Sequence, residues 1–226
     1  MGNGIVKNLK FIWDCILQVI YPTDEKCILC AEDTNEDNLI CTECERSIKF
    51  CEDIFTIEQN NTRFRYYSIS YYSGNMMELI LRLKYKSDFR AGEVIAKYMI
   101  DVIKSNDIQF DFISYIPMTK TSMRKRGYNQ SEYLATVISN EINRPVIHCL
   151  DKIKQTKDQI GLNGIERWNN VLNSFKIIDK NIIINKKILL VDDVLTTGAT
   201  AFSCAYELLK CNAGEITILT GAKSRV

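Results

Sequence analysis

Two adjacent carboxylates and a hydroxyl-rich turn stand together in ILLVDDVLTTGAT, residues 188–200 of the chain. The apolar residues predict a buried strand over 187–191, which delivers Asp192 and Asp193 where open parallel sheets bind their ligands. The loop that follows leads into a helix, whose free N-terminal N–H groups bind phosphate well. Gly198 lets the backbone curl round that phosphate. The run therefore predicts a site for a phosphorylated ligand.

The two acids cannot bind the phosphate themselves, because charges of the same sign repel. They suit a sugar diol, or the divalent cation that accompanies a phosphorylated sugar. A receiver domain carries its paired aspartates near its start, whereas only residues 194–226 follow Asp193 here. A Walker loop is excluded, because no Gly-Lys-Ser/Thr sequence is present. Solvated acids followed by an ordinary helix cap are the remaining alternative.

A second pattern of potentially functional residues consists of two C-x2-C pairs, CILC and CTEC, which are separated by ten residues. Two residues between thiolates let both sulfurs reach one ion, and two such turns complete a tetrahedral S4 site. Four soft thiolates favour zinc. The predicted ligands are Cys27, Cys30, Cys41 and Cys44. Cys51 would replace one of them or belong to a degraded second pair, and incidentally buried thiols are the alternative.

The composition restricts the class of protein. The 226 residues are 46% apolar, which suits one α/β core with a small appendage. The 29 basic and 28 acidic residues nearly balance, so no overall basic field points to nucleic acid. Nine cysteines, five of them within residues 27–51, argue against a disulfide framework. Without a signal peptide or a long apolar stretch, we expect a soluble, cytoplasmic protein.

The spacing of apolar residues predicts the elements that position these groups. Residues 5–20 predict an amphipathic helix, which packs on the body of the protein or binds a membrane surface or a partner. Further helices are predicted over 76–84, 91–104, 131–143 and 201–210. Further strands are predicted over 62–73, 110–116 and 215–219. This alternation implies a mostly parallel sheet with helices on both faces.

The run VDDVLTTGAT resembles the phosphoribosyl-pyrophosphate (PRPP) signature of the type I phosphoribosyltransferases. The resemblance implies that Asp192 and Asp193 hold the ribose 2- and 3-hydroxyls, and that Mg2+ enters with PRPP. It also implies that the loop holds the 5-phosphate through Thr196, Thr197, Gly198, Ala199 and Thr200.

More of the chain is similar to the ComF-type proteins, named for competence for DNA uptake. These join a short N-terminal zinc-binding segment to a phosphoribosyltransferase-like domain. The matching stretches, within residues 20–222, are CILC, CTEC, ELILRLKY, YIPMTKTSMRKRGYNQSEYLA, Gln159 to Phe175 and the PRPP run. Relatives often carry a third C-x2-C pair, of which only Cys51 remains here. The expected organisation is a helix over 1–24, a zinc-binding segment over 25–55 and a type I phosphoribosyltransferase-like domain over 60–226.

The resemblance also gives roles to the basic stretch after the strand predicted over 110–116. In type I enzymes the loop after this strand binds pyrophosphate with main-chain amides and a cation. The residues in that place are Met118, Thr119 and Lys120. Nearby positive charge comes from Arg124, Lys125 and Arg126. We expect Lys120 and Arg124 to act in catalysis beside the two acids and Arg126 to bind PRPP, unless this stretch is a solvated basic face.

Other predictions keep their alternatives. Arg82 and Lys84, in ELILRLKY, add to the same pocket or are surface charges. His148, the only histidine, is expected to be structural. The polar segment 159–167 suits a mobile lid that keeps water from a reactive sugar cation, or it is a solvated connection. Arg167 and Asn170 are the residues to test in this region.

The resemblance implies an enzyme that transfers, or whose ancestors transferred, a phosphoribosyl group from Mg-PRPP to an acceptor and releases pyrophosphate. No segment is specific for one acceptor base. The alternative is a non-catalytic module that senses PRPP or a nucleotide, or that binds single-stranded DNA or a helicase through the aromatic and basic strand RFRYYSISYY. The resemblance implies a role in DNA uptake in either case.

Overall fold

The computed structural model describes residues 26–34, 38–59, 61–153 and 174–224. The predicted N-terminal helix and the predicted lid, with Arg167 and Asn170, lie outside the described residues. The elements follow in the order α1 (Thr42–Arg46), β1 (Phe55–Gln59), β2 (Thr62–Tyr71), α2 (Gly74–Lys86), α3 (Phe89–Ser105), β3 (Phe112–Tyr115), α4 (Lys120–Arg126), α5 (Gln130–Ile142), β4 (Leu150–Lys152), β5 (Phe175–Ile177), β6 (Lys187–Leu195), α6 (Ala199–Lys210) and β7 (Glu215–Lys223). Across the described ranges, every helix is too short or too polar to cross a membrane.

A five-stranded sheet in the order β1-β2-β7-β6-β3 forms the centre of the fold. β2, β7, β6 and β3 run parallel to one another, and β1 pairs antiparallel with β2. Val146 adds a parallel bridge to Ile113 beyond β3. The predicted mostly parallel α/β sheet is confirmed. β1 was not predicted, because a five-residue strand in a hairpin has too few alternating residues to signal itself.

Apolar side chains cover both faces of this sheet. One layer packs α2, α3 and α5 against the face that carries Leu189 and Val191. The other packs α6 and β5 against the face that carries Ile188 and Leu190. The alternation along β6 follows from the two-residue period of a strand. Helices therefore lie on both faces, as predicted.

The cysteine segment packs directly on the first of these layers. Cys27, Ile28, Ile40 and Ile48 are buried in the same apolar cluster as α2 and α3. The first turn of α2 is held by a hydrogen bond from Asn75 Nδ2 to the carbonyl oxygen of Cys44, at 2.9 Å. This segment is thus anchored to the helix that follows β2.

Two local differences from the predicted elements affect the site. β6 continues to Leu195, because β7 extends beside it and pairs Leu195 with Lys223. Asp192 and Asp193 therefore lie inside the strand and not after its end at residue 191. The residues after β3 form the short helix α4, which Thr119 caps by accepting a hydrogen bond from the N–H of Ser122 at 3.1 Å.

Candidate functional site

The topology opens a crevice between the C-terminal ends of β3 and β6. These neighbouring strands are parallel. The chain leaves β3 towards α5 on one face and leaves β6 towards α6 on the other face. Open α/β sheets bind ligands where adjacent strands have connections on opposite faces. The two acids and the loop before α6 lie at this switch point.

Asp192 and Asp193 have different side-chain partners, which come from two helices on the same face of the sheet. Asp192 Oδ1 accepts hydrogen bonds from Ser131 Oγ and from the backbone N–H of Asp193, both at 2.9 Å. Asp193 Oδ2 forms an ion pair with Lys84 Nζ at 2.9 Å. The carboxylates are therefore held by α5 and α2, whose residues lie far from them in the chain.

The charges in this crevice shift the ionisation of the acids. Burial, reinforced by the charge of Asp193, raises the pKa of Asp192 to about 7, although Lys84 and Ser131 act in the opposite direction. Burial alone would lower the pKa of Lys84, but the adjacent Asp193 carboxylate outweighs it, so the pKa of Lys84 is raised. Lys84 is consequently cationic at neutral pH, and Asp192 titrates in the physiological range.

The loop before α6 lines one wall of a cleft of about 290 Å³, together with Asp192 and Lys84. Its lining residues from the loop are Thr196, Gly198 and Thr200. Ala199 is buried, and its N–H is 3.5 Å from Thr197 Oγ1. The structure thus brings Asp192 and three of the five predicted phosphate-loop residues to one cavity. The first N–H groups of α6 have no intrahelical acceptor and are the donors that an anion would meet.

Gly198 is required in this loop for two separate reasons. Its φ of +78° lies in the left-handed region, and an added Cβ would lie 2.1 Å from Ile57 Cδ1. We expect Gly198→Ala to lower the free energy of unfolding by about 2–4 kcal/mol, as measured by urea denaturation. Gly127→Ala is the matched control, because Gly127 has φ +86° but open space around it. Equal losses in the two variants would contradict the importance of the contact with Ile57.

The predicted pyrophosphate residues line a second cleft, of about 390 Å³. Its walls are Met118, Thr119, Lys120 and Thr121 on one side and Asp151, Lys152 and Ile153 on the other. The structure therefore does not place Met118, Thr119 and Lys120 in the first cavity, which Asp192 lines and in which Asp193 is buried behind the surface and is not a lining residue. The two clefts are neighbours, because Ile116 lines the first and Met118, two residues later, lines the second.

The basic residues of α4 point in different directions. Arg124 and Lys125 are exposed. Arg126 is half-buried, donates from its guanidinium to Gln130 Oε1 at 2.6 Å, and lies 5.5 Å from the ring centre of Tyr85. The assignment of Lys120 and Arg124 to catalysis, and of Arg126 to PRPP binding, stays a prediction.

Three residues at the first cleft were missed or left open by the sequence. Ser131 and Tyr72 carry no motif that would identify them. For Lys84 the sequence left open a place in the pocket of the basic stretch or a surface position, and the structure places it in the first cleft, apart from Met118 and Lys120. Arg82 instead bonds to Glu78 and to the carbonyl oxygen of Ile28. Ser131, Tyr72 and Lys84 could be assigned to this site only from the structure, because Asp192 and Asp193 are distant from them in the chain.

His148 lies at the side of the second cleft. Its Nδ1 is 2.7 Å from the Tyr115 hydroxyl, and its Nε2 is 3.2 Å from Asp151 Oδ1. Tyr115 is buried at the end of β3 and donates its hydroxyl proton to Glu132 at 2.9 Å. These bonds tie β3, α5 and β4 together, so His148 fits the structural role that the sequence predicted.

The four predicted metal ligands meet at one point. Their Sγ atoms all lie within 4.8 Å of one another, and Cys30 Sγ is 3.6 Å from Cys41 Sγ. A tetrahedral site with zinc–sulfur bonds of about 2.3 Å separates its sulfurs by about 3.8 Å. The donor set therefore fits a single tetrahedral metal ion. Among the described residues, Cys51 is not a member of this group.

The ionisation of these thiols also favours a cation at their centre. Burial raises the pKa of Cys27, but backbone N–H groups, including those of Cys30 and Cys41, outweigh it and bring the pKa to about 6. Burial and the neighbouring sulfurs raise the pKa of Cys44. Four thiolates so close together repel one another, and a divalent cation removes that repulsion.

The aromatic strand RFRYYSISYY contributes mainly to the core. Phe64, Tyr66 and Tyr67 are buried, and Arg63 pairs with Glu58 at 2.8 Å. This is the half-buried packing typical of alternating aromatic residues in a strand. The proposed contact of this strand with single-stranded DNA stays a prediction.

The solved structures that align with this chain include a phosphoribosyltransferase and a PRPP amidotransferase. Adenine phosphoribosyltransferase from Thermoanaerobacter pseudethanolicus aligns with a TM-score of 0.40 and 11% identity over 81% of this chain and 98% of that chain. The glutamine PRPP amidotransferase from Bacillus subtilis, in complex with ADP and GMP, aligns with a TM-score of 0.41 and 14% identity over 58% of this chain and 26% of that chain. No protein-family model matches the chain.

Curated relatives match this chain over most of its length. Competence protein F of Haemophilus influenzae is 25% identical over 216 residues, which cover 85% of this chain and 94% of that protein. Competence protein ComFC of Bacillus subtilis is 27% identical over 223 residues, which cover 95% of this chain and 85% of that protein. DNA utilization protein YhgH of Escherichia coli is 23% identical over 207 residues, which cover 85% of this chain and 87% of that protein. The chain is thus similar over most of its length to competence proteins F and ComFC, and it places a four-cysteine cluster ahead of a mostly parallel α/β sheet.

Proposed function

We propose that the chain binds PRPP, with its Mg2+, across the two neighbouring clefts. The observation that carries this proposal is that Asp192 and the threonine loop line the same cavity. In this arrangement the loop holds the 5-phosphate, and the acids accept hydrogen bonds from the ribose hydroxyls. The pyrophosphate group extends towards Thr119, Lys120 and Lys152 in the second cleft, where two cations face it.

We further propose that the bound sugar can undergo phosphoribosyl transfer. The bond between C1 and the pyrophosphate oxygen breaks, a bond from a nucleophilic acceptor atom to C1 forms, and pyrophosphate leaves with the bonding electrons. No protein nucleophile is needed, because positioning and electrostatic stabilisation supply the catalysis. Lys120, Arg124 and Lys152 would stabilise the negative charge that develops on the leaving group.

The relatives support a biological setting for this activity. Two of them are named for competence and a third for DNA utilization. We propose that this chain also serves DNA uptake or use in the cytoplasm, and that the ion of the four-cysteine cluster is zinc. A reducing compartment keeps the four thiols available for the metal.

Isothermal calorimetry with PRPP and Mg2+ tests the binding step. We expect saturable binding with one site per chain, and weaker binding of ribose 5-phosphate, because that ligand lacks the pyrophosphate held by the second cleft. Absence of PRPP binding would overturn the proposed function. A pyrophosphate-release screen over free bases then separates an enzyme from a sensor, because only an enzyme releases pyrophosphate when its acceptor is present.

A further inference from the structure

We propose that Lys84 is a positioning residue that takes the place of a protein-bound divalent cation beside Asp193 and its neighbour Asp192, which lines the first cleft. This inference deepens the proposed function and rests on it for the identity of the ligand. It assigns a fixed cation to the ribose side of the site. Mg2+ would consequently enter only together with PRPP.

The contact of Lys84 differs from those of the other basic residues of α2. Its ion pair with Asp193 leaves only 20% of the Lys84 side chain and 12% of the Asp193 side chain exposed. Lys86, two residues later, pairs with Glu78 at 3.4 Å and stays 64% exposed. Exposed pairs of that kind contribute little, whereas a shielded charge needs its partner. Lys84 is therefore built into the cleft, and Lys86 is a surface charge.

The helix that carries Lys84 is held along its length. Asn75 bonds to the carbonyl oxygen of Cys44 at one end of α2. Near the other end, Arg82 donates to the carbonyl oxygen of Ile28, and the Tyr128 hydroxyl donates to the carbonyl oxygen of Leu83. The cysteine segment and the turn before α5 thus fix the position of the cation. A charge held in this way is preorganised for a ligand.

Among the residues that the structure describes, Lys84 is the cation in direct contact with the acids. Lys84 and Tyr72 face the acids from the β2 and α2 side. Ser131 of α5 bonds to Asp192, and the charges of Lys152 of β4 and Cys204 of α6 interact with that of Asp192. Two neighbouring carboxylates without Lys84 would attract a divalent cation or a proton. With Lys84 in contact with Asp193, the protein provides that balance itself.

Mn2+ binding without PRPP tests this role directly, with zinc already present in the cysteine cluster. Electron paramagnetic resonance is expected to detect no Mn2+ site at the acids of the wild-type protein. Lys84→Met is expected to gain one site per chain, at least about 10-fold tighter than any in the wild type. The gained site should disappear in Lys84→Met/Asp192→Asn/Asp193→Asn. Lys86→Met is the matched control and should gain none.

The pH dependence of PRPP affinity provides a second readout. Asp192 accepts a ribose hydroxyl hydrogen bond most strongly when it is ionised, so the affinity of the wild type should rise as pH increases through about 7. Lys84 lowers the pKa of Asp192, so its removal should move this rise to higher pH and weaken binding at pH 7 about 10-fold. The ligand is identical in both proteins, so the displacement reports on the protein. Lys84→Arg keeps the charge and should keep the wild-type profile.

Several results would overturn the assignment of Lys84. A Mn2+ site in the wild type that is lost in Asp192→Asn/Asp193→Asn would show that the acids bind a divalent cation despite Lys84. This measurement needs no variant of Lys84, so it tests the assignment of Lys84 even if Lys84→Met does not fold. A folded Lys84→Met with no new site and an unchanged pH profile would make the ion pair merely structural. Absence of PRPP binding would contradict the proposed function instead, and the Mn2+ result would remain a valid test of Lys84.

Discussion

Asp192→Asn/Asp193→Asn is expected to weaken PRPP binding by about 10²–10⁴-fold, which calorimetry would record as no measurable heat. Each carboxylate would accept a hydrogen bond from a ribose hydroxyl, and charged acceptors contribute about 1.5–3 kcal/mol apiece. Asparagine keeps the shape of the side chain but removes its charge. The double variant also deprives Lys84 of its partner at 2.9 Å. The lost carboxylate acceptors and the lost partner of Lys84 both weaken the binding of PRPP.

The matched control for this experiment is Asp101→Asn/Asp107→Asn. Both side chains are exposed, on α3 and just after it. Asp107 precedes β3, so it lies towards the end of the sheet opposite to the cleft. This control should bind PRPP as the wild type does. Wild-type affinity in a folded Asp192→Asn/Asp193→Asn would remove the assignment of the acids to the sugar.

Loss of the cysteine cluster is expected to have the second large effect. Cys27→Ser/Cys41→Ser should lower the metal content from about one ion per chain to none, as measured by elemental analysis. Structural zinc contributes on the order of 10 kcal/mol in isolated zinc-binding peptides. The α/β core supports much of this segment, so we expect a loss of about 3–5 kcal/mol, or about 6–20 °C in Tm.

The packing of the cysteine segment explains why loss of the metal should also affect the PRPP site. Ile28, Ile40 and Ile48 share one apolar cluster with α2 and α3, and Cys44 accepts a hydrogen bond from Asn75 of α2. We therefore expect the double cysteine variant to bind PRPP more weakly, because α2 carries Lys84. Cys211→Ser, outside the cluster at the end of α6, should change neither property. Full metal occupancy in Cys27→Ser/Cys41→Ser would refute the ligand set.

Features that depend on residues close together in the chain could be predicted without the structure. The spacing of the cysteine pairs predicted the ligand set, because two intervening residues fix how far apart two sulfurs of one turn lie. The helical periods over 91–104 and 131–143 predicted α3 and α5 to within a few residues. The run VDDVLTTGAT placed a strand, two acids and a helix N-terminus in immediate succession. The short helix α4 could also have been found, because Thr119 and Gly127 are typical of its two ends.

The contacts between these residues could not be predicted from the sequence, because they depend on how the strands and helices pack. The length of β6 depends on its pairing with β7, and this places the two acids inside the strand. Asp192 meets Ser131 from 61 residues away, and Asp193 meets Lys84 from another helix. The separation of the second cleft from the first depends on the position of β4 beside α4. Such contacts come from sheet register and layer packing, which join segments distant in the chain and leave no pattern among adjacent residues.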